Sequence, residues 1–300
     1  MLSIDDVLIA RDFSSVSDRA VRYALDIAAR TGATLHVFYA EVLHEAPRSN
    51  GDADRSPADG FSAFRADLKE NSPRSADAID AVEVKEERRR DVSPGPAILN
   101  YASEAGVDLI ALGTHGRRGP SRLLLGSVAE EVVRQADRPV LTVRGEDDGR
   151  VPSAPHAVDR ILAPVDFSDH AQKALRAAKA WAALYDASLD VLHVVPETLH
   201  PTFYIGGVES IYDMEPDIES EVQERLDAFV ADTGGPAVEL RSHVRVGSAS
   251  SDIVEFADEE EIDLVTLSTH GRTGLDRFLL GSVAEKVVRH ARCPVITQKA

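Results

Sequence analysis

Short, almost continuous apolar runs alternate along this chain with stretches whose apolar residues recur every three or four positions. In the first half the runs are Val7–Ala10, Thr34–Ala40, Ala81–Glu87, Asp108–Leu112 and Pro139–Val143. In the second they are Arg160–Pro164, Ser188–Val194, Ala237–Val244, Asp263–Leu267 and Pro294–Thr297. Runs of this kind read as strands of a parallel sheet buried on both faces. Between them, Asp18–Arg30 places Val21, Leu25 and Ala28 on one helical stripe, and Asp217–Ala231 does so with Ile218, Val222, Leu226 and Phe229. Strand and helix in strict alternation predict an α/β fold, an open parallel sheet with helices on both faces.

The pattern is spoken twice because the sequence is. Val107–Arg144 and Ile262–Lys299 align without a gap, with about 23 of 38 positions identical. VLIARDFSS at Val7–Ser15 likewise pairs with ILAPVDFSD at Ile161–Asp169. A near-constant offset over this length means a duplicated domain. We expect domains at 1–144 and 158–300, joined by the polar, Gly- and Pro-containing linker 145–157. The halves differ most after the second strand. His44–Gly60 is polar and reads as a mobile connection, whereas Glu197–Pro216 carries Phe203, Tyr204, Ile205, Ile211, Tyr212 and Met214, a cluster expected to pack on its own sheet or between domains.

The stretch richest in candidate chemistry follows the fourth strand of each half. Gly113-Thr-His-Gly116, nine residues, then Gly126-Ser127 is repeated as Ser268-Thr-His-Gly271, nine residues, then Gly281-Ser282. Glycines let the main chain approach an anion and take positive φ, and successive N–H groups can then converge on it. The helix expected at Ser127–Gln135 adds its free N–H groups and dipole, and Ser127 adds a hydroxyl. Phosphate binding competes with a structural reading in which Ser127 with Glu130, and Ser282 with Glu285, are capping boxes. Asp12 and Asp166 follow the first strands; each is a helix cap or turn residue, a role contested by Ser14 and Ser168, or a ligand to a ribose or base. His115 and His270 lie inside the loops, where a loop-stabilising bond is favoured over catalysis. Arg117, Arg118, Arg122, Arg272 and Arg277 are solvated loop residues or phosphate ligands. No G-x-x-x-x-G-K-[ST], G-x-G-x-x-G or G-x-S-x-G sequence occurs, and no His/Cys cluster has metal-ligand spacing.

Composition then narrows the partners. The 51 acidic against 33 basic residues give a formal charge of −18. That field repels nucleic acid and anionic membrane surfaces alike. Lysine is scarce and acid abundant, either a halophile-like composition in which salt screens self-repulsion or that of an ordinary acidic cytosolic protein from a GC-rich genome. The single cysteine, Cys293, excludes an intrachain disulfide and reads as buried filler. No segment has the length of apolar sequence that a membrane span needs, so a soluble, cytoplasmic protein is expected.

DFS after the first strand and G-x-x-G-x(9)-G-[ST] after the fourth, both present in each half, resemble the universal stress protein family in its tandem two-domain, nucleotide-binding form. The resemblance covers nearly the whole chain. It implies two open five-stranded parallel sheets in the order 3-2-1-4-5, associated through their last strands as an internal pseudo-dimer, with a homodimer as a further possibility. It implies ATP, accompanied by Mg2+ or Mn2+, in a crevice at the carboxyl ends of the strands. By the same resemblance Asp12 and Asp166 lie near ribose and adenine, and Ala40 and Val194 offer main chain to the adenine. Gly113, Gly116, Gly126 and Ser127 match the phosphate loop in the first half, and Gly271, Gly281 and Ser282 match it in the second; Arg117, Arg272 and Ser268 join the candidate phosphate ligands from their places in the loop. Three departures from the pattern stand out: Ser268 at the first glycine, where a positive φ would strain it; Arg11, bulky and charged beside Asp12 where the second half has Val165; and Val92 where the second half has Gly247. They predict two sites of unequal affinity. A sensing or regulatory protein is the first reading. A slow ATPase or nucleotidyl-transfer enzyme in the same crevice, or a scaffold with vestigial loops, are the alternatives; the missing base and lysine argue against the enzyme.

Overall fold

The computed structural model describes residues 2–43, 55–71, 76–114, 125–145, 158–197, 217–269 and 280–299. The chain forms two compact units, Leu2–Val158 with Pro294–Lys299, and Asp159–Cys293. The apolar cluster at 203–214 and the linker from 146 onward lie outside the described residues.

In the first unit the elements run β1 (Asp6–Ala10), α1 (Ser15–Thr31), β2 (Thr34–Val42), α2 (Phe61–Asn71), α3 (Ala76–Ile79), β3 (Val84–Asp91), α4 (Pro94–Ala105), β4 (Leu109–Gly113), α5 (Ser127–Gln135) and β5 (Val140–Val143). The sheet order is β3-β2-β1-β4-β5, all parallel. A further strand, β10 (Val295–Gln298), lies antiparallel on β5, with Ile296 opposite Leu141. Thr142 and Thr297 reinforce that pairing, their hydroxyls donating to the carbonyls of Val295 (3.1 Å) and Val140 (3.4 Å). The association of the last strands is therefore the one that the family resemblance implies.

The second unit repeats the plan with β6 (Arg160–Pro164), α6 (Asp169–Tyr185), β7 (Ser188–Pro196), α7 (Ile218–Asp232), β8 (Leu240–Gly247), α8 (Ala249–Glu259), β9 (Leu264–Ser268) and α9 (Ser282–His290). Its parallel strands stand in the order β8-β7-β6-β9.

Both sheets owe their rigidity to apolar strands buried on each side. Val7, Leu8 and Ile9 of β1, and Leu109, Ile110 and Ala111 of β4, are wholly inaccessible. Helix α1 begins at Ser14, whose hydroxyl accepts from the Ser17 N–H, and ends on Gly32 in the left-handed conformation (φ +74°). It buries Val21, Leu25 and Ala28, the stripe its spacing predicts. At the opposite end of the sheet from the strand termini that matter below, Asp108 accepts the main-chain N–H groups of Asp5 (2.8 Å) and Asp6 (3.0 Å). Asp263 does the same for Asp159 and Arg160, both at 2.9 Å. These carboxylates tie the first strand of each repeat to its fourth and so set the two strands' far ends in register.

The third strands depart from expectation. They occupy Val84–Asp91 and Leu240–Gly247, about one turn of sequence later than hydropathy placed them. Each has one sheet neighbour among the described residues, β2 or β7, and an outer edge that tolerates charge; Lys85 to Asp91 is charged throughout. Hydropathy alone does not mark such a strand.

Candidate functional site

The carboxyl ends of β1 and β4 meet where the sheet order turns. β1 lies between β2 and β4, with Ala10 opposite Phe38 on one side and Leu112 on the other. The chain leaves β1 into α1, and leaves β4 into the loop before α5. The residue two beyond β1, Asp12, and the last residue of β4, Gly113, thus flank a crevice at the switch point of a doubly wound sheet. Asp166 and Ser268 hold the corresponding places after β6 and at the end of β9, and β6 pairs with both β7 and β9. Ala40 is in β2 near its end and Val194 in β7 near its end.

The loop's base is closed by a bond the motif did not reveal. Gly126 N–H donates to the Thr114 carbonyl at 2.8 Å, and Gly281 N–H donates to the Thr269 carbonyl at the same distance. Both threonines are buried, and Thr114 N–H in turn donates to Val143 at the end of β5 (2.8 Å). A side chain at 281 would place its Cβ 2.9 Å from the Thr269 oxygen, so this closure requires glycine for close approach. Gly116, Arg117, Gly271 and Arg272, with His115, His270 and the other loop arginines, lie outside the described residues.

The helix that follows is not begun by serine. Gly126 and Gly281 are the N-cap residues, and Ser127 and Ser282 are already the first helical residues, exposed to solvent. Glu130 N–H bonds to the Gly126 carbonyl and Glu285 N–H to Gly281, both at 2.9 Å. The capping-box reading is therefore corrected: neither helix has a side-chain cap, and the serines are one position too late to supply it.

Gly113 and Ser268 also correct the conformational argument. Neither has a positive φ, so serine at 268 is not strained. Glycine at 113 serves packing instead. A Cβ there would stand 2.8 Å from Cγ1 of Val16 and 3.3 Å from the Ser17 nitrogen, because the first turn of α1 rests on the end of β4. Gly145 meets the other methyl of Val16, which would be 2.8 Å from a Cβ at that position.

The strained residues beside the crevices are phenylalanines. Phe13 (φ +60°) and Phe167 (φ +61°) follow Asp12 and Asp166 in the left-handed region, a costly place for a bulky side chain. Sequence reasoning missed this, since an aromatic residue in D-F-S reads as core. The strain accompanies a tight turn: Ser14 N–H donates to Asp12 Oδ1 at 3.0 Å, and Ser168 gives Asp166 Oδ1 both its N–H (3.1 Å) and its hydroxyl (2.5 Å). Ser14 and Ser168 cap the helices, accepting from Ser17 and Ala171 N–H at 3.1 Å, so the aspartates are turn residues and not caps.

Arg11 is not a free charge at the crevice mouth. Its side chain is buried, with Nε and Nη2 donating to Asp18 Oδ1 (3.1 and 2.9 Å) and Nη1 to the carbonyls of Pro57 (2.8 Å) and Asp59 (2.6 Å). The end of the polar connection is thereby fixed: Arg55–Gly60 is anchored rather than mobile. Val92 is exposed, while a Cβ at Gly247 would lie 2.6 Å from Asp252 Oδ2, whose carboxylate accepts the Ser248 N–H (2.8 Å) at the start of α8. That difference belongs to helix initiation.

Two repeats of a doubly wound α/β domain, each with a Gly-closed loop running into an uncapped helix and a strained Asp-Phe turn after its first strand, define a tandem α/β fold with the same strand-end crevice twice. The chain belongs to the universal stress protein family, whose family model matches residues 3–144 and 157–299. It is 32% identical to universal stress protein MJ0531 of Methanocaldococcus jannaschii over 143 residues, 47% of this chain and 81% of that one. It is 28% identical to universal stress protein Rv2005c of Mycobacterium tuberculosis over 207 residues, 69% of this chain and 66% of that one. A solved universal stress protein from Archaeoglobus fulgidus shares the fold over 99% of both chains, with a TM-score of 0.65 at 20% identity.

Proposed function

We propose that this protein binds ATP in each repeat, 1–144 and 158–300, and serves a sensing or regulatory role in a stress response. In the first crevice Asp12 and Ala40 face ribose and adenine, and Gly113, Gly116, Arg117, Gly126 and Ser127 face phosphate. In the second these tasks fall to Asp166 and Val194, and to Ser268, Gly271, Arg272, Gly281 and Ser282. The observation that carries the proposal is the helix start at Gly126 and Gly281. Each is a helix N-terminus without a side-chain cap, delivered by a Gly-closed loop to the switch point of the sheet, where an anion is favoured. The exposed Ser127 and Ser282 hydroxyls stand at the same place.

Among the described residues no group of three or more His, Cys, Asp or Glu side chains is arranged to hold a metal ion. In this proposal Mg2+ or Mn2+ enters on the triphosphate. No helix among the described residues is long and apolar enough to cross a membrane.

The test is a thermal melt in molar KCl with and without ATP, together with identification of any nucleotide released when the purified protein is denatured. Ligand at about 100 times its Kd stabilises by about 2.7 kcal/mol, a shift easily read. No shift with ATP, ADP or AMP and no retained nucleotide refutes the proposal. Sustained phosphate release, lost on Gly126→Val, would establish the enzymatic alternative.

A further inference from the structure

Asp12 stands between two residues that are held on every side. Arg11 donates its main-chain N–H to Phe38 O at 2.8 Å, and its guanidinium is tied to Asp18, Pro57 and Asp59. The same guanidinium lies 4.7 Å from the centre of the Phe13 ring. Phe13 is further covered by Arg55 at 4.4 Å and packs on Tyr39 at 5.2 Å. The segment carrying Arg55 is itself fixed to β3: Ala58 N–H and the Ser56 hydroxyl donate to Glu86, and Arg88 donates to the Arg55 carbonyl. A buried guanidinium reaching forward from position 11 thus braces the strained residue at 13, and the carboxylate between them rides on that brace.

The second repeat is braced differently, without a side chain reaching forward from the residue before the aspartate. Val165 makes the same main-chain bond, to Leu192 at 2.9 Å, but has no side-chain donors. Phe167 is held instead by His193 (4.2 Å), Phe229 (5.5 Å) and Arg225 (4.3 Å), all from β7 and α7. His193 also bonds through Nδ1 to the Val165 carbonyl at 2.7 Å, so one imidazole from β7 holds both neighbours of Asp166.

We infer that Arg11 is a positioning residue for Asp12, and that its grip tightens ATP in the first crevice and slows its release. This rests on the ATP reading above. A carboxylate whose flanking residues are held loses less freedom on binding, and that gain is expressed mainly in the dissociation rate.

The experiment measures ATP affinity by calorimetry and dissociation by stopped flow, in molar KCl, on the full chain carrying Gly281→Val to disable the second crevice. Should that background not fold, Arg11→Val is compared directly with the unaltered chain, and the phase of the isotherm that it changes is followed instead. Arg11→Val is expected to weaken ATP about tenfold, chiefly through faster release. Arg11→Lys keeps the charge without the planar fork and is expected to behave like Arg11→Val. Asp18→Ala, on a part-exposed residue, leaves the two carbonyl bonds of Arg11 in place; about a threefold loss in the same direction is expected, and it decides the matter if Arg11→Val does not fold. Lower melting temperatures with ATP affinity unchanged would make Arg11 merely structural and overturn the inference alone. Absence of ATP binding to the unaltered chain would remove the nucleotide reading and this inference with it.

Discussion

Replacing Gly113 by alanine should destabilise the first unit through a collision with one residue. The new Cβ would stand 2.8 Å from Val16 Cγ1, against the roughly 3.5–4.0 Å of an ordinary carbon contact. Val16 has nowhere to turn: its Cγ2 already approaches Gly145, where a Cβ would also be 2.8 Å away. Its branched side chain is stiff at χ1. Relief therefore requires the first turn of α1 to move, and overpacking of this kind costs about 1–3 kcal/mol. The loss of a flexible glycine from the unfolded chain offsets about 0.4–1 kcal/mol of that. A net loss of about 1–2 kcal/mol follows, or about 2–8 °C in melting temperature for a unit of this size. The assay is a double-mutant cycle in urea at fixed salt with Gly113→Ala, Val16→Ala and the pair. Trimming Val16 removes the methyl in collision and leaves the 3.3 Å approaches to the backbone of Val16 and Ser17, so Gly113→Ala should cost little in the Val16→Ala background. An equal cost in both backgrounds, or a neutral Gly113→Ala, would refute the packing account of this glycine.

Four further outcomes are expected. Gly281→Ala should open the Thr269 closure and abolish one ATP equivalent per chain by calorimetry, since its Cβ would meet a main-chain oxygen at 2.9 Å; two unchanged equivalents would count against the loop's role. For Asp190, burial opposes the charged form, but hydrogen bonds from His243 (2.8 Å) and Arg160 (3.0 Å) outweigh it and hold the carboxyl below its usual range. The stability this confers is present above the unfolded pKa of about 4 and lost as pH falls through the depressed folded value, so urea unfolding of Asp190→Asn should show a shallower acid limb than the parent; identical limbs would contradict it. Cys293 is half-buried, and desolvation pushes its thiol up to about 12, so a thiol reagent at about pH 8 should label the native protein much more slowly than the urea-unfolded chain, and equal rates would overturn that. With a formal charge of −18, the melting temperature should rise as KCl goes from about 0.1 to 2 M and the screening length shrinks from about 10 Å to below 3 Å; a flat or falling curve would refute the halophile reading.

Most of the architecture was legible because the strands that build it are buried on both faces. Val7–Ile9 and Leu109–Ala111 are apolar without interruption, and nothing but a parallel sheet core asks for that. β3 was misplaced because an edge strand written Lys-Glu-Glu-Arg-Arg-Arg-Asp has no hydropathy to read. The loop motif was visible, but the reasons for its residues were not. Gly113 looked like a conformational requirement and is a steric one, set by Val16 from a helix far away in sequence. Ser127 matched a capping box by spacing, yet the helix begins one residue earlier, at Gly126, and spacing does not fix that phase. The left-handed φ of Phe13 and Phe167 left no trace, because an aromatic residue at that place satisfies every simpler pattern. Arg11 looked like an exposed charge because the partners that bury it, Pro57 and Asp59, lie in a stretch whose composition is that of a loose connection.

The strand Val295–Gln298 completes the first unit although it is the last to be written in the second repeat. A ribosome making this chain has released all of residues 2–145 long before the strand that covers β5 exists. Through that interval Val140–Val143, four residues that are buried in the finished protein, present an open row of main-chain donors and acceptors to whatever is nearby. Cutting the gene at the repeat boundary would make that interval permanent. The first repeat expressed alone should therefore seek another strand for β5, and a second copy of itself carries one of identical sequence.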